Sequence, residues 1–408
     1  MSEAAAETRQ GRVEFTGSRH ELLGIIVRGY LLMLPTIGLY RFWQATWKRR
    51  FYWQNTVIDG DPLEYTGSAT QLLAGFFFAL AFFLPIYVAL FYLSMQDTDL
   101  VLIGYGCIGA VIWFLAGYAI YRARDFRLSR TLWRGIRFDQ RGNSWAYALR
   151  RFLWSLAMLP TLGLVYPWMA SSLWRYRYRH TWYGDRKFEI GGNWKSFAGP
   201  YYAALLLNLL TIGAAVTAIV MRNDVVLVGG VGMPGPIGLL LCLGCVVVFA
   251  LSLAWYRTTT ASRMLSTVTI GDAAVKVRIG TGALFRQYAL YVVGVVALLV
   301  VLALTALIAL GGIYWAAASR GKEPDAAALA ALFQSSSLNV ALLIGIYLIV
   351  LGAFGLVAEL ILSFGWWSLL ARSTTIDNPD SLRSVRAGGI DTALIGQGLA
   401  DALNVGAY

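Results

Sequence analysis

Residues 34–67, LPTIGLYRFWQATWKRRFYWQNTVIDGDPLEYTG, decide how the chain is read. They fall into three parts: an apolar run broken at Pro35 and Gly38, a helix loaded with Trp, Tyr, Arg and Lys, and a short β-hairpin. The hairpin is predicted from the β-branched residues ahead of Asp59-Gly60 and the alternation Leu63-Glu64-Tyr65 after it. Asp-Gly tolerates the positive φ that a two-residue hairpin turn demands. At residues 159–192 the pattern returns: Leu-Pro-Thr-Leu-Gly-Leu repeats Leu-Pro-Thr-Ile-Gly-Leu, with Pro160 and Gly163 at the break. A second basic aromatic helix follows, and Phe188-Glu189-Ile190-Gly191-Gly192 stands where the first copy has Leu63-Glu64-Tyr65-Thr66-Gly67. Looser copies cover 121–147 and 255–282, and 366–376 reads as a truncated fifth. Internal repeats are the frame for everything else.

Composition gives the class. An apolar fraction of 58%, only 14% charged residues and a mean hydropathy of +0.60 describe a polytopic membrane protein. The net charge of +12 sits beside membrane-length apolar runs. It therefore reads as a basic surface against anionic phospholipid, not as a nucleic-acid site. Cys107, Cys242 and Cys245 all lie within apolar runs, which excludes a disulfide scaffold. Residues 1–20 read as a polar N-terminal tail without a cleavable leader, 21–371 as one integral membrane domain, and 372–408 as a cytoplasmic C-terminal tail.

Six runs, at 71–93, 100–121, 197–221, 236–256, within 287–318 and at 339–370, are long enough to cross about 30 Å of hydrocarbon. Two further runs, 22–40 and 153–174, carry prolines. If both cross, the chain has eight spans, and the basic segments 124–150 and 175–195 fall on opposite faces. Positive-inside bias disfavours that. If both bend at Pro35, Gly38, Pro160 and Gly163 and return, six spans remain and both termini are cytoplasmic. The outer loops then hold only Arg222, Arg320 and Lys322 of the 34 Lys and Arg. The expected fold is an all-α polytopic bundle of six full spans plus two re-entrant or interfacial hairpins, with short β-hairpins as a cytoplasmic rim. Eight spans is the alternative.

Trp and Tyr settle at the headgroup level, where Arg and Lys reach phosphates. Arg41, Trp43, Arg49, Arg50, Arg175, Arg177 and Arg179 are therefore candidates for a rim that receives anionic lipid or substrate. The plainer reading is interfacial anchoring of helix ends. Glu359 and Arg28 are candidate intramembrane charges, which either mark a pathway or form a structural pair. Asn208 suits interhelical hydrogen bonding. His20 and His180 lie outside any zinc-protease pattern, and no nucleophile elbow or phosphate loop is present. Cys242 and Cys245 have no further ligands nearby. No enzyme activity, cofactor or metal is expected, and the glycines of 229–238 read as an outer loop.

The segments Phe15-Thr16-Gly17, Glu21-Leu22, 34–43, Tyr65-Thr66-Gly67 and Leu72-Leu73-Ala74-Gly75-Phe76 resemble the signature of the YjgN-like family of bacterial inner-membrane proteins, domain of unknown function 898. The ending Gly398-Leu399-Ala400-Asp401-Ala402-Leu403-Asn404-Val405 is similar too, so the resemblance spans nearly the whole chain. It implies a multi-pass inner-membrane protein and brings no activity or site residue. Two functions follow from the residues. One is transport or handling of an anionic small molecule or lipid through a broken-helix cavity. The other is a non-transporting scaffold that binds anionic lipid, a cytoplasmic partner or a second copy.

Overall fold

The computed structural model describes residues 9–95, 98–222, 224–228, 231–318 and 337–388. Residues 1–8 and 389–408, Asp97, Arg320 and Lys322 lie outside them, as does the ending similar to the family.

In chain order the elements begin with β1 (Gln10–Phe15), α1 (Arg19–Met33), α2 (Arg41–Gln54), β2 (Thr56–Ile58), β3 (Asp61–Tyr65) and α3 (Ala69–Ser94). Next come α4 (Thr98–Ser129), β4 (Thr131–Trp133), β5 (Ile136–Gln140), α5 (Ser144–Met158), α6 (Tyr166–Arg179), β6 (Thr181–Tyr183), β7 (Arg186–Ile190) and α7 (Lys195–Met221). After β8 (Val225–Val228), β9 (Val231–Pro234) and α8 (Pro236–Leu265) follow β10 (Val268–Ile270), β11 (Ala273–Val277) and α9 (Thr281–Ala318). The last elements are α10 (Ser337–Ala358), a π-helical turn (Glu359–Ser363), α11 (Phe364–Arg372), β12 (Thr374–Asp377) and a 3-10 helix (Pro379–Ser384).

The all-α expectation is wrong. Ten strands close into an antiparallel barrel, in the order β1-β12-β11-β10-β7-β6-β5-β4-β3-β2, and β2 returns to β1. What reads in the sequence as separate rim hairpins is one ring. Each long strand divides its pairing: Val57 faces Pro62 within the β2–β3 hairpin, while Leu63, Glu64 and Tyr65 face Trp133, Leu132 and Thr131 of the next. Positive φ at Asp59-Gly60 and Arg134-Gly135 lets two-residue turns match the strand twist.

Four of the five hairpins are continuous; the fifth is assembled from β12 and β1. Val13-Glu14-Phe15-Thr16-Gly17-Ser18 is the strand-and-cap pattern of Leu63-Glu64-Tyr65-Thr66-Gly67-Ser68. Ser18 and Ser68 both cap the helix that follows, each accepting from a backbone N–H three residues on. Residues 10–15 are therefore not a tail, and residues 374–384 carry a strand and a helix where the sequence reads as a tail.

The two Leu-Pro-Thr runs form identical turns. Gly38 and Gly163 take positive φ, and their N–H groups donate to Met33 O at 2.8 Å and Met158 O at 3.0 Å. Thr36 and Thr161 bond back to Leu32 O and Ala157 O at 2.7 and 2.8 Å. The helices on either side have 14 or 15 residues, about 21–22 Å, short of the hydrocarbon thickness. Their tips are apolar and open: Ile37 is 94% exposed and Leu162 91%. Six helical stretches, Ala69–Ser94, Leu102–Ser129, Lys195–Met221, Pro236–Leu265, Thr281–Ile308 and Ile344–Arg372, are long and apolar enough to cross a membrane. β5 pairs with β6 across the α5–α6 turn, so the chain enters and leaves that turn on one face. Eight crossings would separate the two strands. The glycine-rich stretch read as an outer loop contributes β9 to a hairpin with β8.

The barrel is filled, not hollow. Phe15, Tyr52, Trp133, Tyr183 and Phe364 are buried together, and the Tyr183 hydroxyl donates to Trp133 O at 3.1 Å. Burial, against the opposing charge of Arg134, pushes the Tyr183 phenol up to about 12, so it stays a donor. Residues 378–388 cross the turn end, sinking Leu382 and Val385 into the core; Asp185 N–H donates to Arg386 O, and Arg386 N–H donates to the Asp185 carboxylate, both at 3.1 Å.

Phe15→Ala removes a ring that packs on Phe51, Tyr52 and Phe364, and should cost about 3–5 kcal/mol, read as a lower thermal unfolding midpoint. With Cys107, Cys242 and Cys245 replaced by Ser, single cysteines at the exposed Glu64 and Lys187 should react with an impermeant thiol reagent from the same face. Reaction from opposite faces would break the barrel assignment.

Candidate functional site

In each hairpin module a leading helix runs into the first, short strand. Where that strand opens with threonine, the hydroxyl bonds back into the helix: Thr56 to Tyr52 O, Thr131 to Arg127 O, Thr181 to Arg177 O and Thr374 to Leu370 O, at 2.7–2.9 Å. Three of these threonines also accept from neighbouring modules. Trp367 Nε1 donates to Thr56 and Trp53 Nε1 to Thr131, both at 2.8 Å, and Arg124 donates to Thr181 at 3.4 Å. These bonds draw the last turns of the leading helices together beneath the barrel.

There they enclose a cavity of about 490 Å³ between α2, α4, α6 and the π-helical turn with α11. Its charged lining is Lys48, Arg49, Arg124, Arg127, Arg177 and Glu359, with Tyr52, Trp53, Tyr178, Trp366 and Trp367 as aromatic walls. Five cations face one carboxylate. Lys48 Nζ lies 3.2 Å from Glu359 Oε2, and the Tyr52 hydroxyl donates to Glu359 Oε1 at 3.3 Å. Arg124 lies over the Tyr178 ring at 4.5 Å and donates to Gln140 at 3.2 Å. Arg49 donates to the Tyr65 hydroxyl at 3.1 Å. The buried Nε of Arg177 has no hydrogen-bond acceptor among the described residues. A guanidinium-rich, partly desolvated pocket of this size suits a phosphate- or carboxylate-bearing ligand. Glu359 opens a π-helical turn between α10 and α11, a distortion common at functional sites.

The predicted rim divides. Arg49 and Arg177 enter the cavity; Arg175 and Arg179 line a cleft on the other side of α6. Arg50 reaches Gly67 O and packs over Trp47, Arg41 lies over Phe42 and Phe76, and Trp43 stacks on Tyr40. Glu359 is central, but Arg28 is exposed on α1 and does not join it. Pro35, Gly38, Pro160 and Gly163 shape the hairpin turns, and none of them lines this cavity. Asn208 links α7 to α8 through Ser252 at 2.8 Å. Sequence reading missed Lys48, Arg124 and Arg127. One signal was available: Arg49 and Arg124 both stand seven residues before a strand-opening threonine, and Arg127 and Arg177 four before. Among the described residues, no group of three or more His, Cys, Asp or Glu assembles as a metal site.

Lys48→Ala and Glu359→Gln should each destabilise by about 1–3 kcal/mol, because each strands a partly buried charge or acceptor. The double variant should lose less than the two together, a coupling read from thermal unfolding of all four proteins.

The family model described as a bacterial protein of unknown function, DUF898, matches residues 10–290. No curated protein and no solved structure matches the chain.

Proposed function

The chain belongs to the DUF898 family of bacterial proteins of unknown function, and we propose that it is an inner-membrane protein that binds and handles an anionic small molecule or lipid in the cavity beneath its barrel. The observation that carries this reading is the excess of Lys48, Arg49, Arg124, Arg127 and Arg177 over Glu359 in one aromatic-walled space. Arg presents a planar fork to phosphate and carboxylate oxygens, and indole and phenol walls keep bulk water from screening the attraction. Glu359 holds Lys48 until a stronger anion competes for it.

The Lys and Arg bias supports a cytoplasmic barrel, with β1 and β12 bringing both ends of the described chain to that face. The cavity then opens at the inner headgroup level, where anionic lipids are concentrated. We assign no reaction. The lining has neither histidine nor cysteine, and its single carboxylate is paired with Lys48. The filled barrel supports a second, non-transporting reading, in which the cavity holds lipid or a cytoplasmic partner in place.

Arg124→Gln with Arg177→Gln should weaken binding of dodecyl phosphate to the purified protein at least tenfold, about 1.4 kcal/mol, by thermophoresis. Glu359→Gln should tighten it, since Lys48 then faces the cavity alone. Unchanged affinity in both variants would remove the cavity as the anion site. Movement of labelled dodecyl phosphate between leaflets of proteoliposomes separates handling across the membrane from static binding.

A further inference from the structure

The two short helical hairpins share their turn but are tied at different places. In α1–α2 the bare backbone at Gly29 admits Gln44, whose side-chain amide donates to Ile26 O at 3.0 Å and ties the helices together. A Cβ at Gly29 would collide with that amide. Counted from the residue that caps each first helix, Ser18 or Asn143, the place of Gly29 is taken in α5 by Trp154. Counted back from the strand-opening threonine, the place of Gln44 is taken in α6 by Met169. The Gln44-type bond is lost, and α5 and α6 are tied instead near the barrel, where the Tyr176 hydroxyl donates to Asn143 O at 2.8 Å and its ring packs with Tyr147. Two adjoining clefts remain, of about 550 and 540 Å³, sharing Arg150.

Their chemistry differs. The first is lined by Arg150, Arg175 and Arg179 in the barrel-proximal turns. The second runs along α5 past Leu149, Leu153 and Trp154 towards the hairpin tip. Arg175 and Arg179 are one helical turn apart and share a face, whereas Arg177 points away into the central cavity. We propose that this outer cleft binds one anionic phospholipid from the surrounding leaflet, its phosphate against Arg150, Arg175 and Arg179 and an acyl chain along Leu149, Leu153 and Trp154. Three guanidinium groups at headgroup depth, continuous with an apolar track leading deeper, match an amphiphile better than a soluble anion. The site shares no lining residue with the central cavity and does not depend on what that cavity binds.

Native mass spectrometry of the detergent-purified chain, with phosphatidylglycerol or phosphatidylcholine added, tests this. Wild type should retain phosphatidylglycerol at least tenfold over phosphatidylcholine, and equimolar glycerol phosphate should not displace it. Arg150→Gln/Arg175→Gln/Arg179→Gln should lower the number of phosphatidylglycerol molecules retained by one, while Arg49→Gln/Arg177→Gln should leave that molecule bound. Where the triple variant does not elute as a single species, Arg150→Gln and Arg175→Gln alone should each reduce retention severalfold. Equal retention of both lipids, undiminished retention in the variants, or displacement by glycerol phosphate would overturn the proposal.

Discussion

Everything in this fold depends on β1 finding partners on both of its halves. Gln10, Gly11 and Arg12 pair with β12, and Val13, Glu14 and Phe15 with β2. Runs of two to four paired residues are too short to hold as isolated ribbons, and an open ring would leave two unsatisfied edges. Closure satisfies every edge at once. It also fixes the membrane part, because each of the five helix pairs must leave the ring and come back to it. Two pairs are too short to cross and three are long enough, so crossing number follows from helix length alone.

The cavity is a by-product of the same ring. Threonines at the strand starts tie each leading helix to its own strand and accept from the neighbouring module, so the charged last turns of α2, α4 and α6 converge. Bringing arginines together is costly in a partly dry space. Cation–π contacts with Tyr178 and Tyr65, and the single carboxylate of Glu359, offset part of that cost. The remaining positive field is what an anion would meet.

Much of the architecture was legible. The stretches 34–67, 121–147, 159–192 and 255–282 each contain one continuous hairpin of the barrel, and 366–376 holds most of α11 and the start of β12. Its missing half was written in Val13-Glu14-Phe15-Thr16-Gly17 but reads as a tail, because the strand alternates alone: no turn beside it leads to a partner, and β12 lies more than 350 residues away. Closure was illegible for the same reason: the pairing between modules is backbone to backbone and carries no side-chain code. Glu359 stood out because it is a lone charge in an apolar run, while its partner Lys48 hid in a cluster where every position is basic or aromatic. Spacing along α6 could not tell which arginines face inward until the barrel fixed the helix rotation.

Splitting one hairpin between distant segments also sets a timetable. The ribosome makes β1 before the six long apolar helices described above, and β12 only after them. Nascent β1 can pair with β2 early, but its first three residues wait through the insertion of the whole membrane part. Contacts this remote in sequence form late. Glu359, Trp366 and Trp367, which wall the cavity, arrive with the same final segment. The polypeptide therefore completes its ring and its pocket together, and a chain stalled before residue 359 has neither.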